Sequence, residues 1–337
     1  MKARTLANLA RSGQWAVQLS LLRVAPPFYR SCFVASAFTH GVLQRLAKGP
    51  VPFEQLADAL EAKPIAREGL EAWLQVGVAL GELGWDARGY FLRGRLSKQL
   101  TDARNDPVAA LLQEMVELHH RLLLETPQRA RGGRLLTLAD QSGELIARSS
   151  RTLEPYVKEA IDDVVPRAGA FRVLEVGCGS GTYLRHAAAR NRTLTGIGLE
   201  LQPEVATFAR RNLAEWGLAK RVSVEAADVR QWRSDERFDL VTLHNNIYYF
   251  PVAQRMELLT QLRGLLAPGG SLLVTTGCQG RNVTFAVLNL WAAMTDGCGP
   301  LPARTEMIAQ LQAAGFRAVR AKSLLPGMGF YAFVGRN

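Results

Sequence analysis

From residue 172 onwards, short apolar runs alternate with segments of helical periodicity, and this rhythm constrains the fold more than any other feature of the sequence. Strands that alternate with helices pair in parallel, because each crossover helix returns the chain to the same end of the sheet. The pattern predicts an α/β fold with a Rossmann-like sheet that is covered by helices on both faces. The five runs with the length of buried strands are 172–176, 193–199, 222–226, 238–243 and 271–276.

The end of the chain departs from this rhythm. Two apolar runs, 316–324 and 329–334, are separated only by a turn at Pro326-Gly327. A connection this short has no room for a crossover helix, so the two strands must pair antiparallel. We therefore expect a parallel sheet that ends in a terminal antiparallel strand.

The first half of the chain is mainly helical in pattern. Pro26-Pro27 is expected to end the first helix and Gly49-Pro50 the second, since proline cannot continue a helix. A short helix, a longer helix and a two-stranded wing then follow in the order of a winged helix. The predicted elements are helices at 15–22, 33–47, 53–60, 64–84 and 108–124, and a wing at 85–92.

The length of 337 residues exceeds the size at which a single core usually stops growing, so two domains are expected. We assign residues 1–125 to a helical, winged-helix-like domain and residues 126–149 to a connector. Residues 150–337 are assigned to the α/β domain.

Composition and charge indicate a cytoplasmic protein. The net charge is +11, but only seven of the 41 basic residues are lysines and the arginines are scattered, so we expect no nucleic-acid partner. The cysteines lie far apart and without zinc-ligand spacing, which indicates reduced thiols and no metal site. No apolar run approaches the ~20 residues of a membrane span. The four cysteines are Cys32, Cys178, Cys278 and Cys298.

The segment most directly linked to chemistry lies where the first of these strands passes into a helix. Gly177, Gly179 and Gly181 let the backbone pass close to a ligand, because no Cβ stands in the way. The following helix adds free N–H groups. Glu175 precedes the glycines, and its carboxylate would repel a phosphate but attract an ammonium group.

Two further acids follow the next two strands. Glu200 comes after the second strand, where a carboxylate can accept hydrogen bonds from both hydroxyls of a ribose. Asp228 comes after the third, where it can accept from the amino group of an adenine. Three carboxylates and three glycines in phase with the strands favour a cationic adenosyl ligand over a nucleotide phosphate.

This motif set resembles the class I S-adenosylmethionine-dependent methyltransferases, over about residues 151–337. The resemblance implies that the glycine loop passes the methionine part of S-adenosyl-L-methionine, that Glu200 holds the ribose and that Asp228 reads the adenine. It also implies S-adenosyl-L-homocysteine as the product. We add Glu175, Val229 and Asn245 to the predicted cofactor-binding residues.

The whole chain further resembles the small-molecule O-methyltransferase branch, whose N-terminal half is a winged-helix-like dimerisation domain. The resemblance implies a homodimer, a small-molecule acceptor and methylation at oxygen, with nitrogen, carbon or sulfur as alternatives. In that branch a histidine after the fourth strand removes the acceptor's proton. Aligned on Asn245, that position holds Tyr248, and an unperturbed tyrosine with a pKa near ~10 is a poor base at neutral pH.

Three interpretations of the acceptor side stay open. Tyr248 can orient the acceptor while proximity does the rest, a nearby histidine (His244, His119 or His120) can act as base, or the acceptor needs no base. We predict Tyr248 and His244 as the catalytic residues. An aromatic pocket is expected from Tyr248, Tyr249, Trp291 and Met294.

Two other functions compete. A nucleic-acid methyltransferase agrees with the charge, but enzymes that methylate base amines usually carry Asn or Asp followed by Pro-Pro, and Asn245-Asn246-Ile247 stands here. The helix at 64–84 is also acidic, which suits phosphates badly. A non-catalytic regulator that binds the cofactor is the other alternative, because the acceptor side departs from the family pattern.

Overall fold

The structure, a computed structural model, describes Asn8 and residues 11–337, which divide into two compact units. The N-terminal unit ends at Arg121 and also includes Ser142–Thr152. The C-terminal unit consists of Leu122–Gln141 and Leu153–Asn337. The chain therefore passes between the units more than once.

The N-terminal unit is helical with one antiparallel hairpin. Its core is apolar and includes the fully buried Val34, Leu43 and Leu74. The elements are α1 (Gln14–Thr39), α2 (Val42–Leu46), α3 (Phe53–Ala59), α4 (Arg67–Ala79), β1 (Leu83–Asp86), β2 (Gly89–Leu92), α5 (Arg95–Leu100), α6 (Asp106–Glu114), the start of α7 (His120–Gly132), and α8 (Gly143–Ser150).

Two expected helix boundaries in this unit are wrong. Helix α1 continues through Pro26 and Pro27, which lie on an exposed stretch where water can bind the carbonyls that the prolines leave without a donor. The run at 33–47 is divided between α1 and α2, because Gly41 adopts a φ of 72° and turns the chain. This turn brings Val42 and Leu43 into the core.

The expected helix at 108–124 is longer and is interrupted. Helix α6 passes into a widened π-type turn at Met115–His119 before α7 begins. Helix α7 then extends to Gly132, so the first part of the stretch expected to be a connector, residues 126–132, is helical.

The C-terminal unit is built on a seven-stranded sheet, and every strand expected from the sequence is present. The strand order is β5-β4-β3-β6-β7-β9-β8, with parallel pairing up to β7 and antiparallel pairing of β9 with both neighbours. The strands are β3 (Phe171–Val176), β4 (Leu194–Glu200), β5 (Val222–Ala226), β6 (Phe238–His244), β7 (Leu266–Gly277), β8 (Arg317–Leu325) and β9 (Phe330–Arg336).

Helices precede or separate the parallel strands of this sheet as the alternation predicted, except between β5 and β6, where residues 227–237 form a loop without a helix. They are α9 (Glu154–Val164), α10 (Thr182–Arg190), α11 (Pro203–Glu215), α12 (Val252–Gly264), α13 (Val283–Ala293) and α14 (Arg304–Ala313). Within the described residues, no helix has the length and apolar character needed to cross a membrane.

The order of the strands determines where a ligand can bind. From β3 the chain proceeds to β4 and β5 on one side, and it then returns to β6 and β7 on the other. Loops that leave β3 and β6 therefore diverge, and a crevice opens at the carboxyl ends of these strands. Gly198 of β4 packs tightly against the residues that follow β3, since a Cβ at position 198 would lie only 2.7 Å from Cys178 Sγ.

Candidate cofactor and acceptor site

The glycine loop between β3 and α10 has the backbone conformation that its glycines permit. Gly177, Gly179 and Gly181 have φ values of 67°, 52° and 79°, a region that favours glycine. The N–H of Cys178 donates to the Leu199 carbonyl at 2.9 Å, which ties the loop to β4. No atom lies within 4 Å of the place where a Cβ of Gly179 would stand, so the backbone is open to a ligand there.

Glu200, at the end of β4, lies against this loop. Its Oε2 accepts a hydrogen bond from the N–H of Gly179 at 3.0 Å, and its Oε1 accepts from the N–H of Gln202 at 3.2 Å. The carboxylate is thus held at the carboxyl edge of the sheet. The structure brings Glu200 and the three predicted glycines together in one place.

Asp228 lies at the neighbouring strand end. Glu200 is in register with Ala226 of β5, and the N–H of Ala227 donates to the Glu200 carbonyl at 2.9 Å. Hydrogen bonds from Arg230 lower the pKa of Asp228, so this carboxyl is ionised at neutral pH. Val229, in contrast, has its side chain in the core, with 4% of its surface exposed.

Glu175 is the most deeply buried acid of the site, with 2% of its surface exposed. Among the described residues its Oε1 has no hydrogen-bond partner, while the carboxylate accepts from the N–H of Leu184. Burial raises its pKa well above the ordinary value, and the charge of Glu200 raises it further. The side chain is therefore a neutral acid over a range of pH in which an exposed glutamate is ionised.

Asn245 and Asn246 connect the end of β6 to the glycine loop. Asn245 has a φ of 54°, and its N–H donates to the Thr275 carbonyl at 2.8 Å. The amide of Asn246 donates to the Val176 carbonyl and lies where a Cβ of Gly177 would be. Sequence reasoning missed this role of Asn246, because only the tertiary structure shows that the β6 loop passes over Gly177.

His244, the last residue of β6, is buried with 6% of its surface exposed. Its Nδ1 lies 3.0 Å from the Thr275 hydroxyl, and its Nε2 has no partner among the described residues. The ring packs edge-on against Tyr183, with 4.9 Å between centroids. Desolvation lowers its pKa to about 3, so the imidazole is neutral.

Tyr248 lies in a 3-10 turn, Ile247–Tyr249, and is buried with 7% of its surface exposed. Its ring centroid lies 5.0 Å from that of Tyr249 and 6.3 Å from that of Trp291, and Tyr249 lies 5.8 Å from Trp291. These three side chains form an aromatic cluster of the kind that the sequence predicted. Met294, the expected fourth member, follows helix α13 and accepts from the N–H of Leu136 through its carbonyl.

A buried arginine holds the turn that carries the aromatic cluster. Arg255 has no exposed surface, and it donates to the carbonyls of Phe250 at 3.1 Å and of Pro300 at 2.7 Å. The N–H of Gly299 donates to the Tyr248 carbonyl at 2.9 Å. Two loops are thus joined around the cluster, so Tyr248 has a defined position.

The two other histidines considered as bases belong to the N-terminal unit. His119 pairs with Glu114, with 3.0 Å between Nε2 and Oε1. His120 packs against Phe28, with 5.6 Å between ring centroids. The described part of the chain contains no group of three or more His, Cys, Asp or Glu side chains placed to bind a metal.

The burial of Glu175 predicts a specific dependence of stability on pH. Its pKa is raised in the folded state, so the folded chain keeps the proton after the unfolded chain has lost it near pH 4.5. The free energy of unfolding then falls as pH rises above that value, by about 1.4 kcal/mol per pH unit, until the folded-state pKa is passed. We expect Glu175→Gln to remove this fall, as measured by urea denaturation between pH 5 and 8. The exposed Glu204→Gln is the matched control, and parallel curves for wild type and Glu175→Gln would contradict the prediction.

Comparison with known proteins agrees with this geometry. Residues 173–270 match a family model described as a methyltransferase domain. The tRNA1(Val) (adenine(37)-N6)-methyltransferase of Citrobacter koseri is 40% identical over 87 residues, which are 25% of this chain and 35% of that protein. Nodulation protein S of Rhizobium tropici is 28% identical over 140 residues, which are 41% of this chain and 54% of that protein. The chain thus matches about a third to a half of the length of these curated relatives.

Solved structures are similar over almost the whole chain. The mitomycin 7-O-methyltransferase superposes with a TM-score of 0.80 at 19% identity and covers 97% of this chain and 100% of its own. Human N-acetylserotonin methyltransferase, solved in complex with S-adenosylmethionine, has a TM-score of 0.72 at 20% identity, with 96% and 97% coverage. These likenesses show a common fold. Residues 173–270 are thus similar to a methyltransferase domain, and almost the whole chain shares the fold of these O-methyltransferases.

Proposed function

We propose that the C-terminal unit binds S-adenosyl-L-methionine at the carboxyl edge of its sheet and transfers the methyl group to a small organic acceptor, with oxygen as the favoured atom. The main support for this proposal is the 3.0 Å hydrogen bond that the N–H of Gly179 donates to Glu200 Oε2. This bond holds the open backbone of the glycine loop and a carboxylate next to each other in one crevice. The likeness to O-methyltransferases supports the choice of oxygen.

The residues of the crevice suit the parts of this cofactor. The open backbone at Gly179 accommodates its methionine part, and Glu200 is placed to accept from the ribose hydroxyls. Asp228, which follows the adjacent strand, would accept from the adenine amino group. The unpartnered Oε1 of the buried Glu175 provides an acceptor for an ammonium group. The negative charge of Glu200 would also stabilise a cationic ligand in this crevice, and a neutral Glu175 would contribute by hydrogen bonding.

The acceptor side is best served by the aromatic cluster of Tyr248, Tyr249 and Trp291. When bound, the cofactor supplies a methyl group on a sulfonium that needs no further activation. The contribution of the chain is then to hold the acceptor in line and to exclude water. A buried aromatic surface does both for a flat organic molecule, and the hydroxyl of Tyr248 can orient it.

His244 is the side chain we propose as the proton acceptor. The Thr275 hydroxyl at 3.0 Å orients the ring through Nδ1, and Nε2 has no partner among the described residues. Burial lowers the pKa of the imidazole, so the ring is in its neutral, proton-accepting form, while the same burial makes it a weaker base than an exposed histidine. Tyr248 then positions the acceptor and leaves the proton transfer to His244.

Replacement of Glu200 tests the cofactor site. A hydrogen bond to a charged group contributes about 1.5–3 kcal/mol, so Glu200→Gln should weaken S-adenosyl-L-homocysteine binding by about ten- to a hundredfold in calorimetry. Glu204→Gln, on the exposed side of α11, is the control and should bind as the wild type does. If the wild type takes up no ligand, or if Glu200→Gln binds unchanged, the proposal fails.

Methyl transfer to phenols, thiols and amines from labelled cofactor tests the acceptor side. We expect His244→Gln to lower kcat by about a hundredfold or more on a phenol, because a positioned base contributes about 10²–10⁴. It should leave S-adenosyl-L-homocysteine affinity unchanged and should lower the rate much less on an acceptor that is already ionised. Tyr248→Phe should lower kcat by about three- to tenfold, which corresponds to the loss of one hydrogen bond. Equal losses of His244→Gln on ionised and un-ionised acceptors would refute its role as base, and binding without transfer to any acceptor would favour a cofactor-binding regulator.

We also propose a cytoplasmic location. All four cysteines are free, and two of them, Cys178 and Cys278, are buried. Free thiols are typical of the reducing compartment of the cell.

A homodimer is proposed from the surface of helix α1. Leu21, Leu22 and Val24 expose 64%, 67% and 62% of their surface, and Trp15 and Phe28 on the same helix are also exposed. An apolar stretch of this length costs free energy in water unless a partner covers it. A second copy of this chain is the occupant that the sequence resemblance to the O-methyltransferase branch implies.

The dimer is tested by introducing charge on this helix. Wild type should be a dimer by light scattering at micromolar concentration, and Leu22→Glu combined with Val24→Glu should be a monomer, because burying two carboxylates in an apolar interface is unfavourable. Gln18→Glu changes an exposed polar residue of the same helix and should stay dimeric. A monomeric wild type contradicts the proposal.

Methylation of a nucleic acid is the second candidate, favoured by the 40% identity with tRNA methyltransferases over 87 residues. Two observations disfavour it. Asn245 and Asn246 are not followed by prolines, and the guanidinium of Arg67 on α4 is paired with Glu54 and Asp58. Salt-sensitive binding of tRNA in a filter assay would support this candidate over the small acceptor.

A further inference from the structure

The carboxylate of Asp228 is fully engaged by Arg230. Oδ1 accepts from the backbone N–H and from Nε of Arg230, both at 3.0 Å. Oδ2 accepts from Nε at 3.0 Å and from Nη2 at 2.7 Å. A carboxylate has about four acceptor positions, so little capacity is left for another donor.

The same local arrangement occurs in two other turns of the sequence form Asp-x-Arg. Asp102 accepts from the N–H of Arg104 at 2.9 Å and from its guanidinium, and Asp86 accepts from Arg88 in the same way. The arrangement is therefore a general property of this turn and does not by itself indicate a ligand. Asp228 differs because it lies next to Glu200 at the carboxyl edge of the sheet.

Arg230 also has a second set of neighbours. Its Nη1 lies 3.4 Å from Gln254 Oε1, and its Cζ lies 6.0 Å from the centroid of the Phe250 ring. The side chain of Arg230 is 45% exposed, which leaves room for it to move. An amide oxygen and an aromatic face can hold a guanidinium that has left a carboxylate.

We propose that Arg230 competes with the adenine amino group for Asp228 and is displaced towards Phe250 and Gln254 when the cofactor binds. This inference rests on the proposed function, since it concerns the same crevice. When no cofactor is bound, the Arg230 guanidinium stabilises the ionised carboxylate of Asp228. This ion pair must be broken or shared before the carboxylate can accept a hydrogen bond from adenine. Arg230 is thus an internal competitor that lowers cofactor affinity and selects against ligands that offer Asp228 no donor.

Replacing the guanidinium should therefore tighten binding. An ion pair this exposed contributes up to about 1 kcal/mol, so Arg230→Met should bind S-adenosyl-L-homocysteine about two- to fivefold more tightly than wild type in calorimetry. Arg230→Lys should lie between them, because an ammonium cannot bridge both oxygens in the geometry of a guanidinium. The difference in S-adenosyl-L-homocysteine affinity between wild type and Arg230→Met should become smaller as the salt concentration is raised, because salt screens the exposed ion pair of Arg230 with Asp228.

Arg104→Met is the matched control, since it removes the same charge and the same Asp-x-Arg contact in the N-terminal unit. It should bind the ligand as the wild type does. If Arg230→Met binds equally or more weakly while wild type binds, competition is wrong and the proposed function stands. If wild type binds no S-adenosyl-L-homocysteine, both fail.

Discussion

The hydrogen bond between the N–H of Gly179 and the Glu200 carboxylate is the contact on which the site depends. It joins a loop whose positive φ angles favour glycine to the end of the next strand, so that an open backbone and a fixed charge face the same crevice. The pairing of β3 with β4 places the two elements side by side, and the reversal of strand order at β6 keeps the space above them open.

The interior of the sheet next to this crevice is unusually polar. Glu175, Thr242 and His244 lie on one face of adjacent strands, and each has a buried atom without a partner among the described residues. Groups of this kind cost free energy unless a ligand or water satisfies them. Natural chains keep such groups where function requires them, and their place on the two strands that end at the crevice agrees with that explanation.

The sequence predicted the strands of the sheet more accurately than it predicted the boundaries of the helices. Buried parallel strands read as short apolar runs, because both faces are covered, and all seven predicted strands are present. The error at Pro26-Pro27 has a different origin, since an exposed helix can tolerate missing hydrogen bonds that water replaces. The division at Gly41 was missed because apolar periodicity continues across it, although the glycine turns the chain. The roles assigned to the site residues remain proposals.

The sequence by itself determined the strands, the glycine loop and the acids that follow successive strands, because each of these is a local pattern with a fixed period or spacing. Only the tertiary structure decided which of these residues contact one another and which are buried. It placed Asn246 against Gly177, buried Val229 in the core and His244 beneath Tyr183, and put Arg230 on both oxygens of Asp228. The physical reason is that burial depends on contacts between segments that are distant in the chain, and that hydrogen-bond partners depend on such contacts and on side-chain rotamers. Neither the contacts nor the rotamers leave a periodic signal in the sequence.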